Sequence, residues 1–290
     1  MHNAQVPTTI IVCIVSDWVL VAVNAGVRLQ VNMINLMLGD CLERMKEIPD
    51  GSVDLILTDP PYGTTACKWD GIIPLEPMWE QLKRIIKPNG AIVLFGSQPF
   101  TSVLVASNLK MFKYEWIWEK AVGSNFAALK YQPMKEHENI LVFCKGTTVY
   151  NPIKEERKGS GKQRQKAGYA NSKATAKTGQ FIGGIMDATK RTNDYEELRY
   201  PSSIQYFNNR DKDRGMHPTQ KPTELFEYLI KTYTNENDLV LDNTAGSCTT
   251  AIAALNTNRN YICMEKDENY YNIGLKRVKE WHENKNSKLF

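Results

Sequence analysis

A short apolar run that ends in two prolines constrains this chain more than any other feature. The run 53–57 reads Val-Asp-Leu-Ile-Leu, and Asp59-Pro60-Pro61-Tyr62 follows one residue later. A short run rich in branched residues and bounded by turn formers predicts a buried strand. Each proline fixes φ and lacks an N–H, so the chain must leave that strand in one stiff, extended conformation. We therefore expect a carboxylate and an aromatic ring to be held at the end of a buried strand.

This segment offers hydrogen-bond acceptors beside a flat ring. Asp59 and the carbonyl of Pro60 are acceptors for which we expect no competing donor nearby, and Tyr62 supplies an aromatic face. Such a set suits a planar group that carries an exocyclic NH2, such as adenine or cytosine. The lone pair of that amine is delocalised into the ring, so acceptors that take both of its hydrogens localise and aim it. The alternative interpretation is a strand that ends in a Pro-Pro turn with a surface tyrosine.

The segment Asp-Pro-Pro-Tyr resembles the catalytic motif of the amino-methylating DNA methyltransferases, which use S-adenosylmethionine. The longer stretch from Gly39 to Asp70 resembles the β group of that family, in which the catalytic motif precedes the cofactor motif, and matching features continue to about Arg277. The resemblance implies a Rossmann-like class I methyltransferase, an α/β fold with a mostly parallel sheet of seven strands, one of them antiparallel. It assigns catalysis to Asp59, Pro60, Pro61 and Tyr62.

A second strand-to-loop junction has the pattern of a nucleotide-binding unit. The run 239–242 predicts a strand ending at Asp242, a glycine-bearing loop leads into a helix, and a further strand ends at Glu265 about twenty residues later. A tight glycine turn lets backbone approach a ligand, and an acid at this spacing suits a ribose. The alternative for Glu265 is a solvated acid. The spacing does not separate S-adenosylmethionine from NAD, but hydride transfer has no need of the Asp-Pro-Pro-Tyr segment.

Two further segments complete the candidate cofactor site. Asp40 follows a predicted strand, where it either lies near the cofactor adenine, as the family implies, or caps the next helix. Thr219 and Lys221 precede a helix predicted over 223–234, whose amino end favours a carboxylate. In the family this run serves the methionyl carboxylate. The candidate cofactor-binding residues are Asp40, Thr219, Lys221, Asp242, Asn243, Thr244, Ala245, Gly246, Ser247 and Glu265.

One position departs from the family pattern. Cys248 stands where the family usually has a glycine. If that position requires a positive φ, a residue with a Cβ is strained there by about 1–2 kcal/mol. A side chain could also crowd the cofactor. We therefore expect Cys248 to weaken cofactor binding without abolishing it, and Cys248→Gly to tighten it.

The basic charge of the chain is concentrated in one segment. Residues 154–177 hold eight Lys or Arg and two acids, whereas the net charge of all 290 residues is only +4. Few large apolar residues accompany them, so the segment cannot fold alone; it is either a linker or an insertion that orders on DNA. The resemblance places the target-recognition region here. The candidate DNA-binding residues are Lys158, Lys162, Arg164, Lys166, Lys173 and Lys177.

The first 32 residues differ from the rest. An apolar run over 10–23 is interrupted by Ser16 and Asp17, so it is too short for a membrane span, and no Lys or Arg precedes it as in a secretory signal. Our hypothesis is that the working protein begins near Met33. We expect a dispensable extension (1–32), a catalytic half (33–146), a target-recognition insertion (147–215) and a cofactor-binding half (216–290).

Composition limits the remaining choices. Six cysteines form no CxxC pair and have no histidine at metal-ligand spacing, so we expect no metal site, no disulfide scaffold and a cytoplasmic location. Periodicity predicts a helix over 76–87, a turn at Pro88-Asn89-Gly90, and strands over 91–95, 114–118 and 140–144.

The expected activity is transfer of a methyl group from S-adenosylmethionine to adenine N6 of double-stranded DNA, with the base flipped out of the duplex. Aspartate at the first motif position usually accompanies adenine in the family. The alternatives are cytosine N4, an RNA or protein-amide methyltransferase, and a catalytically silent DNA-binding homologue in which Cys248 closes the cofactor site. The resemblance also raises a cognate restriction endonuclease and a second copy of the chain as partners, but no membrane.

Overall fold

The structure, a computed structural model, describes residues 36–63, 71–156, 198–210 and 220–285 in full, and the backbone of 9–15, 18–24, 32–34 and 286–287. The chain divides into two units, of which one is Pro152–Ser202 and the other is the remainder. Several predicted site residues lie outside the described residues: Lys158, Lys162, Arg164, Lys166, Lys173, Lys177 and Thr219.

Strands and helices alternate along most of the described chain. The strands are β1 (Thr9–Val15), β2 (Trp18–Asn24), β3 (Asn32–Ile34), β4 (Leu36–Leu38), β5 (Val53–Thr58), β6 (Ile86–Gly96), β7 (Phe112–Ser124), β8 (Lys135–Phe143), β9 (Glu155–Glu156), β10 (Leu198–Arg199), β11 (Ile204–Phe207), β12 (Leu239–Asp242) and β13 (Asn260–Glu265). The helices are α1 (Cys41–Arg44), α2 (Leu75–Ile85), α3 (Phe100–Ser107), α4 (Thr223–Tyr233), α5 (Thr249–Asn256) and α6 (Glu268–Ser287), with 3-10 turns at Met45–Glu47 and Phe126–Ala128.

The larger unit is built on one central sheet. In the described residues this sheet has eight strands in the order β11-β7-β8-β6-β5-β12-β13-β4. All neighbouring strands are parallel except for the pairs that β8 forms with β6 and β7. The prediction of a mostly parallel α/β sheet with one antiparallel strand is confirmed. The expected number of seven strands is wrong, because β11 adds an edge strand parallel to β7.

Helices cover both faces of this sheet. Successive side chains of a strand point to opposite faces, so Leu55 and Leu57 join one hydrophobic cluster and Ile56 joins the other. The first cluster contains the apolar faces of α4, α5 and α6, and the second contains those of α1, α2 and α3. This two-sided burial explains why β5 is almost continuously apolar rather than alternating.

The predicted boundaries around β6 are partly wrong. Helix α2 ends at Ile85 rather than at residue 87, and β6 begins at once at Ile86, so the predicted turn lies inside the strand. Ile86 pairs with Val53, and the register then shifts before Ala91 pairs with Leu55. Such an irregularity accommodates a proline within a strand. A Cβ on Gly90 would lie 2.7 Å from the carbonyl oxygen of Asp54, so the close approach of the β6 and β5 backbones at this point requires glycine.

Strands β7 and β8 extend beyond their predicted limits of 114–118 and 140–144. Most of their additional residues are polar, and several pair with one another, as Glu119 does with His137. Because apolar residues are few among them, periodicity of apolar residues gives little signal for these extensions.

The first strands form a separate antiparallel sheet in the order β1-β2-β3. Val15 pairs with Trp18, so the polar interruption of the apolar run separates two strands of a hairpin. Met33 lies inside β3, and the dispensability of the residues before it stays a prediction. Within the described residues no helix is long and apolar enough to cross a membrane.

The described part of the smaller unit is a pair of short antiparallel strands, β9 and β10. Glu155 accepts a hydrogen bond from the backbone N–H of Ser202 at 3.1 Å and lies 2.9 Å from Arg199. Lys154 Nζ lies 5.3 Å from the centre of the Tyr200 ring. This unit falls within the predicted insertion 147–215, and its part in DNA recognition stays a prediction.

Candidate active site

The candidate residues gather at one edge of the central sheet. Because β5, β12, β13 and β4 are adjacent and parallel, their carboxyl ends meet at this edge. Asp59 follows β5, Asp242 ends β12, Glu265 ends β13, and Asp40 follows β4 by two residues. The carboxyl edge of an open α/β sheet is the usual place for a ligand.

Asp59 is held by two donors from the protein. Its Oδ1 accepts a hydrogen bond from the Tyr62 hydroxyl at 2.5 Å, and its Oδ2 accepts one from Lys221 Nζ. The Tyr62 ring stacks on Phe100 with centroids 5.4 Å apart. The expectation that no donor would compete for Asp59 is therefore wrong, because Lys221 and Tyr62 fold back onto the carboxylate. Each oxygen of a carboxylate has two lone pairs, so acceptor capacity remains.

Lys221 connects Asp59 to two charged residues that sequence reasoning missed. Its ammonium lies 3.3 Å from Glu138 Oε2, and Glu138 Oε1 lies 2.5 Å from Lys120 Nζ. The side chains of Lys221, Glu138 and Lys120 are only 7%, 14% and 7% exposed. Along β7 the alternation Trp116, Trp118, Lys120 places all three on one face, and this period of two was the signal in the sequence.

Burial and this charge network shift the pKa values of its members. Burial, reinforced by the charge of Glu138, raises the pKa of Asp59 although Lys221 opposes the shift. Burial also acts to raise the pKa of Glu138, but the ammonium groups of Lys221 and Lys120 outweigh it and lower that pKa. Burial acts to lower the pKa of Lys221, and the two carboxylates outweigh it, so the pKa of Lys221 is raised. The predicted contact of Lys221 with a methionyl carboxylate stays a prediction, since the described contacts of its ammonium are with protein carboxylates.

Asp242 ties the catalytic segment to the cofactor loop. Its carboxylate accepts hydrogen bonds from Thr58 Oγ1 at 2.7 Å, from the N–H of Thr244 at 3.1 Å, and from Thr250 Oγ1. Thr244 Oγ1 in turn donates to the carbonyl oxygen of Asp59 at 3.1 Å. Burial raises the pKa of Asp242 to about 6. Asp242 therefore shapes the loop through contacts within the protein.

The acids at the ends of β13 and β4 organise the backbone around them. Glu265 accepts hydrogen bonds from the N–H of Gly246 at 2.7 Å and of Asp267 at 2.8 Å, and burial raises its pKa. Asp40 accepts from the N–H of Leu42 at 3.0 Å, which is the helix-capping alternative, and lies 3.0 Å from Lys266 Nζ. Contacts of both acids with a cofactor stay predictions.

The loop between β12 and α5 carries one polar side chain that suits a bound cofactor. Asn243 is 2% exposed, and apart from a weak contact with the Cys41 thiol neither its amide oxygen nor its amide nitrogen has a hydrogen-bond partner among the described residues. A buried amide without partners is costly, so a ligand that supplies a donor and an acceptor would stabilise it. The rest of the loop is anchored: Ala245 N–H donates to Met264, and Arg277 donates to the Ser247 carbonyl. The amide of Asn243, which offers one donor group and one acceptor, fits the adenosine of S-adenosylmethionine.

Cys248, which stands where the family usually has glycine, has the positive φ that was considered for this position. Its φ is +61°, in the left-handed region. Its side chain is fully buried in the core, where the thiol contacts that of Cys263. Gly274 of α6 leaves the space for it, since a Cβ there would lie 2.3 Å from Cys248 Sγ. The strain is present, and the sulfur contacts both the core and the Gly246 carbonyl of the loop, 4.0 Å away. A weakened affinity for the cofactor stays a prediction.

The sheet order, together with a glycine-turn loop beside Asp-Pro-Pro-Tyr, defines a Rossmann-like class I methyltransferase. Residues 53–276 match the family model described as DNA methylase. The chain is 30% identical over 257 residues to the DNA adenine methyltransferase YhdJ of Escherichia coli strain K12. This alignment covers 83% of this chain and 81% of YhdJ. It is 26% identical over 258 residues to the type II methyltransferase M.HpaI of Haemophilus parainfluenzae, covering 84% of this chain and 73% of that one. The chain therefore belongs to the DNA methylase family.

Solved structures resemble the fold over most of its length. The complex of M1.HpyAVI with S-adenosylmethionine (SAM) has a TM-score of 0.55 and 25% identity, covering 84% of this chain and 98% of that one. The PvuII DNA methyltransferase, described as cytosine-N4-specific, has a TM-score of 0.57 over 83% of this chain and 85% of that one. Its identity is 15%, so this second likeness concerns the fold alone.

Removing the space beside Cys248 should destabilise the protein. We expect Gly274→Ala to lower the free energy of unfolding by about 1–3 kcal/mol, because its methyl group would overlap Cys248 Sγ. In a Cys248→Gly background the same substitution should instead stabilise the helix by up to about 1 kcal/mol. Chemical denaturation of the two single variants and the double variant measures both effects. An equal effect of Gly274→Ala in both backgrounds would contradict this packing.

The raised pKa of Asp242 should make stability depend on pH. The group binds its proton more tightly in the folded state, so its stabilising contribution is complete below pH 3.8 and is lost as pH rises through about 6. Relative to Asp242→Asn, the wild type should lose about 2 kcal/mol of unfolding free energy between pH 4 and 7. Denaturation across this range measures the difference, with the exposed Asp50→Asn as control. Parallel curves for wild type and Asp242→Asn would refute the shift.

Proposed function

We propose that this chain transfers a methyl group from S-adenosylmethionine to the N6 amine of adenine in DNA. The observation that carries the proposal is the acceptor cluster at the end of β5, in which the Asp59 carboxylate lies beside the Tyr62 ring. When bound, S-adenosylmethionine supplies a methyl group activated by its sulfonium. Family membership and the relative YhdJ, described as a DNA adenine methyltransferase, support DNA as substrate and adenine as target.

The roles of the catalytic residues follow from their placement. The target amine is inaccessible inside a duplex, so the base must be flipped out before it can reach Asp59. Tyr62, supported from behind by Phe100, offers the face on which the base stacks. Asp59 and the Pro60 carbonyl accept the two amine hydrogens and so aim the nitrogen lone pair.

Asp59 acts here as an acceptor rather than as a strong base. The amine nitrogen becomes cationic, and hence acidic, only as it gains the methyl group, so its proton can leave late. An ionised Asp59 accepts hydrogen bonds at both oxygens, whereas a protonated one would present a hydrogen to the amine. Lys221 supports the ionised form through its contact with Oδ2.

The cofactor site and the remaining partners belong to the same proposal. Asn243, Glu265 and Asp40 would contact the adenosine portion, with Asp242 and Thr244 shaping the loop. Basic residues of the insertion would contact phosphates, which makes affinity fall with salt. We further propose a cytoplasmic location, and a cognate endonuclease and a homodimer remain predictions.

The decisive measurement is transfer of labelled methyl from S-adenosylmethionine to unmethylated duplex DNA, followed by separation of the nucleosides. We expect label in N6-methyladenine, and a loss of about 10²–10³-fold in kcat for Asp59→Ala because its acceptor acts on the reacting amine. Asp50→Ala removes an exposed carboxylate paired with Arg84 and should leave the rate unchanged.

The pattern of label separates the alternatives. Label in N4-methylcytosine would keep the mechanism and overturn the base, and label in an RNA substrate alone would overturn DNA. No label from the wild type, with Asp59→Ala behaving identically, would support a silent DNA-binding protein.

A further inference from the structure

Four charged side chains from four separate segments form a continuous, largely buried network that begins at the Asp59 carboxylate. Asp59 follows β5, Lys221 precedes α4, Glu138 lies on β8 and Lys120 lies on β7. Contacts run from Asp59 to Lys221, from Lys221 to Glu138, and from Glu138 to Lys120. Because it contains two carboxylates and two ammonium groups, this network has no net charge when all four groups are ionised.

We propose that Glu138, held by Lys120, is a positioning residue for methyl transfer, which fixes the Lys221 ammonium against Asp59 and so keeps that carboxylate aimed at the target amine. The inference rests on the proposed function, because it concerns the acceptor of the target amine. Glu138 is 14% exposed, and its described ionic contacts are the two lysines. It therefore acts through Lys221.

The local structure explains why Glu138 can fix Lys221. Trp118 lies opposite Glu138 in the antiparallel pair, so Lys120 is its diagonal neighbour across the strands and within reach of a long side chain. The neighbouring residue Asn139 pairs with Gly96 at the end of β6, which places Glu138 at the active edge of the sheet. A strand-held carboxylate is a rigid anchor for a lysine whose stem has four rotatable carbons.

Energetics argue against an incidental pair. Burying charges has a large desolvation cost, which close partners offset only in part, and removing one partner leaves an uncompensated buried charge. Lys221 with Asp59 alone would form a neutral pair. The additional buried pair of Glu138 and Lys120 therefore adds desolvation without being needed for charge balance. A second anchor for Lys221 is what this additional pair provides.

The charges around Asp59 determine the sign of the test. Lys221 and Tyr62 face its carboxylate, Glu138 faces it across Lys221, and Asp242 is close enough to feel its charge. Glu138 is itself faced by Lys120 and Lys135. Because the charge of Glu138 raises the pKa of Asp59, neutralising Glu138 should lower it. Asp59 is active when ionised, so the acid limb of the pH profile should then move to lower pH.

The first variant is Glu138→Gln, which keeps the shape of the side chain and removes its charge. We expect kcat to fall about tenfold, because Lys221 loses one anchor and Asp59 is aimed less well, while the KM for S-adenosylmethionine stays within about twofold. The acid limb of kcat/KM should shift to lower pH. Glu136→Gln is the matched control, since Glu136 lies two residues earlier on β8 and is exposed; it should match the wild type.

A spectroscopic readout tests the same contact without turnover. In protein labelled with 15N-lysine, the Lys221 ammonium resonance is identified by its absence in Lys221→Met. A buried ammonium held by two carboxylates should exchange its protons slowly in the wild type and in Glu136→Gln. We expect faster exchange and a lower pKa of Lys221 in Glu138→Gln.

Further variants distinguish positioning from a purely structural role. Glu138→Asp keeps the charge and should retain the wild-type acid limb, while Lys120→Met should move that limb to higher pH because it leaves Glu138 less compensated. Loss of activity in Glu138→Gln with an unchanged acid limb and an unchanged Lys221 resonance would overturn the proposal. So would identical behaviour of Glu138→Gln and Glu136→Gln. Absence of methyl transfer by the wild type would refute the proposed function instead, and the Lys221 resonance would still decide the contact.

Discussion

The hydrogen bonds around the Asp242 carboxylate are the constraint on which the candidate site depends. Thr58 and Asp242 are 184 residues apart in sequence, yet a bond of 2.7 Å joins them at the ends of adjacent strands. Thr244, which donates its N–H to Asp242, also donates its hydroxyl to the Asp59 carbonyl. The cofactor loop and the catalytic segment thus share one buried acceptor, so a change in either is transmitted to the other.

Sheet topology makes this sharing unavoidable. The catalytic segment comes early in the chain and the cofactor loop late, but β12 lies directly beside β5. In a parallel pair both strands end at the same edge, so the proline-stiffened segment and the glycine turn must face each other. In the proposed function, strand order alone would therefore bring a methyl donor held by the loop next to the acceptors beside Tyr62.

Local patterns in the sequence predicted the parts of the site whose signals are local. The apolar runs of β5 and β12, the glycine turn, and the positive φ of Cys248 follow from neighbouring residues and the family pattern. The contacts of Lys221 with Asp59 and Glu138 could not be predicted from local patterns, because they depend on the register of three strands. The irregular start of β6 was missed because its turn-forming residues lie in a register shift between two pairings with β5, at Ile86 and at Ala91.

Electrostatics give a reason for charges so far apart in sequence to meet at Asp59. An acceptor in a partly enclosed site tends to take up a proton, since burial disfavours its ionised form. A protonated Asp59 would lose the acceptor pattern that an amine requires. A single buried lysine can oppose this, but it must be kept from swinging away to solvent. Glu138 restrains Lys221 and also raises the pKa of Asp59 through its own charge, and Lys120 limits that second effect. Lys221 alone would keep Asp59 ionised without fixing its orientation. With Glu138 and Lys120 added, the four charges also hold Lys221 in place and limit the rise in the pKa of Asp59.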